Sequence, residues 1–221
     1  MKIFLDTANI DEIKKYSQMG IIDGVTTNPA LMAKEGRKVE DVINDILDYV
    51  DGPISAEVIS TDVEGMIREA TILADIHENI VVKIPAIPAG YQATKYLSER
   101  GINVNFTMVY TANQALLAAK VGAAYVSPFI GRLDINSTNG IDLIKEIVQI
   151  YENYNFITEI LAASMRTAVY VKEVALAGAD VATIPPVALA DMVNNELTNV
   201  SLDGFLAEYN KLPEDKKYVF S

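Results

Sequence analysis

Lys83 stands in the run Val81-Val82-Lys83-Ile84-Pro85, an ammonium inside an otherwise apolar segment of strand length. A fully buried ammonium is costly, so it must pair with a carboxylate or release its proton more easily. A lysine of the second kind attacks carbonyl carbon and forms a Schiff base. The alternative is a buried ion pair with Glu57 or Asp6 that only specifies packing. Asp6 closes the run Phe4-Leu5, where it would otherwise cap the helix that follows. Glu57 lies between Ala56 and Val58, and a mid-strand glutamate is seldom fully buried without a partner. Two acids and a lysine gathered at one place supply the donors and acceptors that making and breaking a carbon–nitrogen bond requires.

Other polar residues interrupt apolar runs in the same way. Asn28 ends Val25-Thr26-Thr27, Thr107 ends the fifth run, Ser127 and Phe129 the sixth, and Ser164 the seventh. Of five arginines, Arg37, Arg68 and Arg100 fall in helical or helix-linking stretches, whereas Arg132 and Arg166 directly follow the sixth and seventh runs. Two guanidiniums, the Ser164 hydroxyl and helix N-terminal amides would hold a phosphate. The alternative for each arginine is a solvated loop position.

Composition narrows the chemistry. There is no cysteine and a single histidine, His77, so thiolate chemistry and multi-histidine metal sites are not expected. His77 falls in a helical stretch, Asp62–Glu78, and reads as a solvated or helix-end residue. P-loop, HExxH and GxGxxG patterns are absent. A net charge of -12 argues against nucleic acid and anionic membranes as partners, and requires a local positive site for any anionic substrate. The start, MKIFLDT, reaches Asp6 after three apolar residues, which reads as neither signal peptide nor anchor. A cytoplasmic protein is expected, and the sequons at Asn105, Asn136 and Asn199 then carry little weight.

The elements that must position these residues alternate along the chain. Strands are expected at Lys2–Asp6, Gly24–Asn28, Ile54–Ile59, Ile80–Ile84, Ile102–Thr107, Ala123–Phe129, Phe156–Ala163 and Asp180–Ile184, each followed by a helical pattern. Capping boxes pair Asn9 with Glu12, Thr61 with Glu64, and Thr111 with Gln114. Gly20, Gly101, Gly122 and Gly178 sit where left-handed helix ends are expected. Eight strand–helix units over 221 residues predict one α/β domain, a single (β/α)8 TIM barrel, in preference to an open doubly wound sheet. Such strands are covered on both faces and should be apolar throughout. Their polar C-terminal ends therefore gather at one mouth, with strand parity pointing Phe4 and Asp6, Val81 and Lys83, and Tyr125, Ser127 and Phe129 inward. An eighth helix runs from the Pro185-Pro186 pair to about Glu196. An extra C-terminal helix carries Leu202, Phe205, Leu206 and Tyr209 at helical spacing. With the final Tyr218-Val219-Phe220 it either covers the barrel floor or, as expected here, docks on a neighbouring subunit, making residues 198–221 a subunit contact.

The motifs Leu5-Asp6-Thr7-Ala8, Gly24-Val25-Thr26-Thr27-Asn28-Pro29, Val82-Lys83-Ile84-Pro85, Thr107-Met108-Val109-Tyr110, Tyr125-Val126-Ser127-Pro128-Phe129 and Leu161-Ala162-Ala163-Ser164 resemble the transaldolase family. The match is to its short-chain branch, which also holds fructose-6-phosphate aldolase. The resemblance implies a TIM barrel, no metal or other cofactor, and Schiff-base transfer of a dihydroxyacetone unit between sugar phosphates. It also implies a decamer of two pentamers, with the C-terminal helix on a neighbour. Position by position, it makes Lys83 the nucleophile and Asp6 the acceptor of the ketose C4 hydroxyl proton. It makes Glu57, through a water held by Thr107, the proton shuttle of imine formation. Asn28 and Ser127 would hold the dihydroxyacetone unit, and Arg132, Ser164 and Arg166 the phosphate.

Two positions separate the activities of the branch: the aldolase would have Gln in place of Glu57 and Tyr in place of Phe129. A tyrosine hydroxyl beside the enamine can place a water that hydrolyses it, whereas Phe129 offers none, so transfer is expected to dominate. The alternatives are an aldolase that releases free dihydroxyacetone, and a barrel that only binds sugar phosphates.

Overall fold

The computed structural model describes residues 1–135 and 139–218. The Asn136 sequon and the Val219-Phe220 end of the expected subunit contact lie outside the described residues. Eight parallel strands, β1 (Lys2–Asp6), β2 (Gly24–Thr26), β3 (Ile54–Glu57), β4 (Ile80–Pro85), β5 (Val104–Val109), β6 (Tyr125–Pro128), β7 (Glu159–Ala162) and β8 (Val181–Ile184), pair in chain order. β1 returns to β8 and closes the barrel, with Phe4 opposite Thr183 and Leu5 opposite Ile184. All eight expected strands are present, most of them shorter than the sequence suggests. β2 stops at Thr26 because Asn28 is already the extended N-cap of the next helix, its Oδ1 accepting from Leu31 N–H.

Helices α1 (Ile10–Gln18), α2 (Pro29–Glu35), α3 (Val39–Leu47), α4 (Val63–Ala74), α5 (Pro88–Ser98) and α6 (Ala112–Lys120) follow the first five strands. Then come α7 (Ile130–Ile135), α8 (Gly140–Tyr154), α9 (Ala168–Ala177), α10 (Pro186–Val193) and α11 (Glu196–Asn210). Among the described residues there are three more helices than strand–helix units: α11 is the expected extra C-terminal helix, and the other two have separate causes. Gly36, at φ 63°, ends α2 and splits the β2–β3 connection into two helices. A short α7 also follows β6 directly. Asn9 and Thr111 cap as expected, but α4 is capped by Asp62 rather than Thr61, through Gly65 N–H. α4 ends at Ala74, so His77 lies in the turn beyond it, exposed, its Nδ1 accepting from Asn79 N–H.

Strand parity builds two cores. Val82 and Ile84 face the helices in the large outer core, while Val81, Phe4, Tyr125, Leu161 and Val181 fill the lower barrel interior. Gly24 makes room there, since a Cβ at that position would meet Phe4 Cε1 at 2.8 Å and Pro53 O at 2.6 Å. One layer higher the same inward positions are polar. That change of character, from apolar floor to polar mouth, separates the part of the barrel that holds it together from the part that faces a ligand. α11 behaves differently from the other long helices: none of its residues is buried, and Leu197, Val200 and Phe205 are each more than 60 % exposed.

Candidate active site

Lys83 lies on β4 with only 6 % of its surface exposed, at the base of a cavity of about 170 Å³ in the barrel mouth. Its Nζ donates to the Thr27 carbonyl at 2.9 Å and stands 3.1 Å from Glu57 Oε2. Register puts Glu57 directly beside Lys83 on the adjoining strand. A carboxylate within hydrogen-bond reach of the amine can take its proton before attack and return it later. The ion pair that packing alone would require is therefore present, but its lysine borders this cavity, while Glu57 lies off that wall and lines a separate cavity of about 410 Å³.

Asp6 lines the same cavity and accepts from Thr26 Oγ1 at 2.9 Å. Burial pushes its carboxyl above the ordinary range, and the charge of Lys83 and the Thr26 hydroxyl pull against that rise. Its alternative role as a helix cap is taken by Asn9. Thr107 is fully buried, and its Oγ1 has no hydrogen-bond partner among the described residues although the residue borders the cavity. Such a hydroxyl is a natural anchor for a water or a substrate oxygen. On β5 and β6, Ser127 donates to Asn105 Oδ1 at 2.6 Å, and Asn105 Nδ2 donates to Ser55 Oγ at 3.2 Å. Asn28 reaches the wall as well, its Oδ1 spent on capping α2 and its Nδ2 left as the donor.

The rim is assembled from α7 and the loop after β7. Arg132 and Ser164 both border the cavity, and the Arg132 guanidinium lies 5.7 Å from the centre of the Phe129 ring. Tyr110 supports that ring edge-on at 6.0 Å. Ser164 holds a left-handed backbone at φ 63°, and its carbonyl leaves no room for a Cβ on Gly131, which would approach to 2.0 Å. That close approach seats α7 against the β7 loop. Two expected residues are off the cavity wall: Glu57, which reaches the site only through its ion pair with Lys83, and Arg166, which is exposed and two residues before the start of α9. Thr167, the N-cap of α9, makes no side-chain capping bond, so the first amides of the helix are free of a side-chain cap beside Arg166.

Three polar wall residues carry no functional reading in the sequence: Thr26, Asn105 and Thr183. Thr26 lies two before Asn28 and Asn105 two before Thr107, so each shares inward parity with a polar residue already singled out, whereas Thr183 has no such neighbour on β8 and is found only when the barrel closes. Asn105 is fully buried, which removes its sequon from consideration. A larger cavity of about 530 Å³ opens at the opposite end of the barrel, but its wall holds Asp51, Glu78 and Glu159 and neither lysine nor arginine. Size does not select the site; charge does.

Fold and site together define a (β/α)8 barrel with a lysine-centred polar mouth. Its likeness to solved structures includes a thiamine phosphate pyrophosphorylase from Pyrococcus furiosus, with a TM-score of 0.57 at 16 % identity over 83 % of this chain and 85 % of that one. At that identity the likeness speaks for the fold alone. The family described as Transaldolase/Fructose-6-phosphate aldolase matches residues 3–219. Relatives named probable transaldolase share 58 % identity in Desulfatibacillum aliphaticivorans, over 96 % of this chain and 99 % of that one, and 56 % in Caldicellulosiruptor saccharolyticus, over 97 % and 99 %. This chain belongs to the transaldolase/fructose-6-phosphate aldolase family.

Proposed function

We propose that this protein is a transaldolase working through a Schiff base on Lys83. The observation that carries the reading is Lys83, buried and paired with Glu57, on the wall of a cavity shared with Asp6 and Arg132. Glu57 takes the ammonium proton, and the neutral amine adds to the C2 carbonyl of sedoheptulose 7-phosphate or fructose 6-phosphate. Loss of water from the carbinolamine gives the imine, with Glu57 and a water on Thr107 moving the protons. Asp6 accepts the C4 hydroxyl proton as the C3–C4 bond breaks, and its electron pair is held as the enamine. The departing aldose phosphate is replaced by glyceraldehyde 3-phosphate or erythrose 4-phosphate. Carbon–carbon bond formation then returns the Asp6 proton to the new hydroxyl, and water releases the ketose from Lys83.

Asn28 and Ser127 hold the hydroxyls of the dihydroxyacetone unit, and Arg132, Ser164 and Arg166 the phosphate. Arg166 takes this role only if a bound phosphate draws its side chain inward. Phe129 borders the cavity without a hydroxyl to place hydrolytic water, so the enamine survives until an aldehyde arrives. The same reading gives a cytoplasmic enzyme of the pentose phosphate pathway, needing no cofactor. It also gives a homo-oligomer, a decamer of two pentamers, in which the exposed apolar side of α11 and the tail after it rest on a neighbour.

The test is a coupled assay with fructose 6-phosphate, with and without erythrose 4-phosphate, together with borohydride trapping. Transfer should far exceed release of free dihydroxyacetone, and the trapped protein should carry a secondary amine on Lys83 that Lys83→Ala loses. Equal release and transfer would make the protein an aldolase, and no adduct would leave a sugar-phosphate binder. Light scattering of a chain ending at Val200 tests the subunit contact: an unchanged assembly size would remove it.

A further inference from the structure

β1 pairs with β2 on one side and β8 on the other, so Asp6 is flanked by inward side chains from both. Those neighbours are hydroxyls. Thr26 donates to Asp6 Oδ1 at 2.9 Å, and Thr26 Oγ1 lies 2.5 Å from Thr183 Oγ1. Thr26 and Thr183 are 2 % and 3 % exposed, so bulk water does not substitute for either bond. A threonine has one hydroxyl proton. With the Thr26 proton committed to the carboxylate, the proton of the Thr26–Thr183 bond must come from Thr183. The order of donation is therefore fixed: Thr183 to Thr26 to Asp6.

We infer that Thr183 is a positioning residue for Asp6, acting through Thr26 to keep the carboxylate ionised and aimed for its proton transfer. Donors in series polarise one another, so Thr183 strengthens a bond it does not itself make. The inference rests on the reading of Asp6 as the proton acceptor in carbon–carbon cleavage. The need for such a chain follows from the surroundings of Asp6. Burial favours its neutral form, which cannot accept a proton, and Thr26 and the charge of Lys83 oppose that. Lys83 is also engaged by Glu57 at 3.1 Å, which divides its influence. The other cation on the cavity wall is Arg132 on α7, while β2 and β8 present only hydroxyls to Asp6.

The experiment is the pH profile of kcat/KM for transfer in Thr183→Val, Thr183→Ser, Thr26→Val and the Thr26→Val/Thr183→Val double variant. Thr183→Val should move the acid limb upward by about half a pH unit to one unit, the scale on which a single hydrogen bond tunes a carboxyl. Thr183→Ser, which restores the hydroxyl, should return the limb to its original place. Thr26→Val should move it further, and adding Thr183→Val to Thr26→Val should move it no more, because the chain is already cut. The imine trapped by borohydride should form in every variant, since Lys83 and Glu57 are untouched. An adduct with an acid limb that stays in place, or shifts that add in the double variant, would overturn the role of Thr183. Absence of the adduct from the unaltered protein would instead remove the underlying reaction. If Thr183→Val does not fold, Thr183→Ala against Thr183→Ser gives the same comparison.

Discussion

At the floor of the barrel Lys2 holds both carboxylate oxygens of Glu159 at 2.9 Å, and at the mouth Lys83 stands 3.1 Å from Glu57. The chemistry of the two pairs is the same and their surroundings are opposite. The floor pair has side chains 47 % and 33 % exposed, the mouth pair 7 % and 6 %. Water and salt screen the first, which leaves it little influence on folding. The second is shielded, so each of its charges depends on the other, and a substrate that removes one proton rearranges both. On the proposed reading, burial more than the presence of a lysine and a glutamate is what turns an ion pair into a reactive centre.

The largest effect expected from that contrast is on folding. Glu57→Ala leaves the Lys83 ammonium without its partner and should destabilise the fold by about 3 kcal/mol, the lower end for a broken buried pair because the amine borders a cavity. Urea denaturation measures it. Replacing both charges, in Lys83→Met/Glu57→Leu, should recover most of that loss while transfer stays abolished. A double variant as unstable as Glu57→Ala would mean that shape, and not charge, controls this layer.

Asp6 sharpens the comparison, being a buried carboxylate shared between a hydroxyl and a distant cation. Asp6→Asn should lower kcat about 10²–10⁴-fold, the range for losing a general acid–base group. It should also raise the melting temperature at neutral pH. Because burial lifts the folded-state pKa of Asp6 above 3.8, the folded protein binds that proton more tightly than the unfolded chain. The unfavourable contribution of Asp6 is therefore fully present above the raised value and fades as the pH falls towards 3.8. The advantage of Asn should shrink over the same interval. A melting temperature that falls in Asp6→Asn at every pH would show the carboxylate to be structural.

Lys83, Asp6 and Glu57 are legible in the sequence because a charge inside an apolar run violates what a strand covered on both faces requires. Thr26 and Thr183 violate nothing: threonine is an ordinary strand residue, and only closure of β1 between β2 and β8 turns them into a chain. Asn105 is hidden among the same strand residues until its bonds to Ser55 and Ser127 are seen. Capped helix starts are legible to within a residue, as Asp62 in place of Thr61 shows, since adjacent polar residues compete for one cap. C-terminal ends are not: α4 stops at Ala74 rather than Glu78, and α10 at Val193 rather than about Glu196. Nor is the direction of Arg166, because loop backbone sets it and no periodicity governs a loop. What α11 rests on depends on an apolar face that its own barrel does not cover.

The floor pair offers the smallest effect and the cleanest contrast. Glu159→Ala should cost about 0.2–1 kcal/mol, and less in half-molar salt, while the effect of Glu57→Ala should barely respond to salt. The hydrogen bond from Lys2 to Glu159 outweighs the desolvation of the ammonium and raises the Lys2 pKa above 10.5. The folded state thus holds this proton more tightly than the unfolded chain, so the contribution is complete below 10.5 and lost as the pH climbs through the raised value. The difference in stability between the unaltered protein and Glu159→Ala should therefore be level from neutral pH to about 10 and then close. If Glu159→Ala instead destabilised the barrel as much as Glu57→Ala, and independently of salt, exposure would not be what separates its two ends.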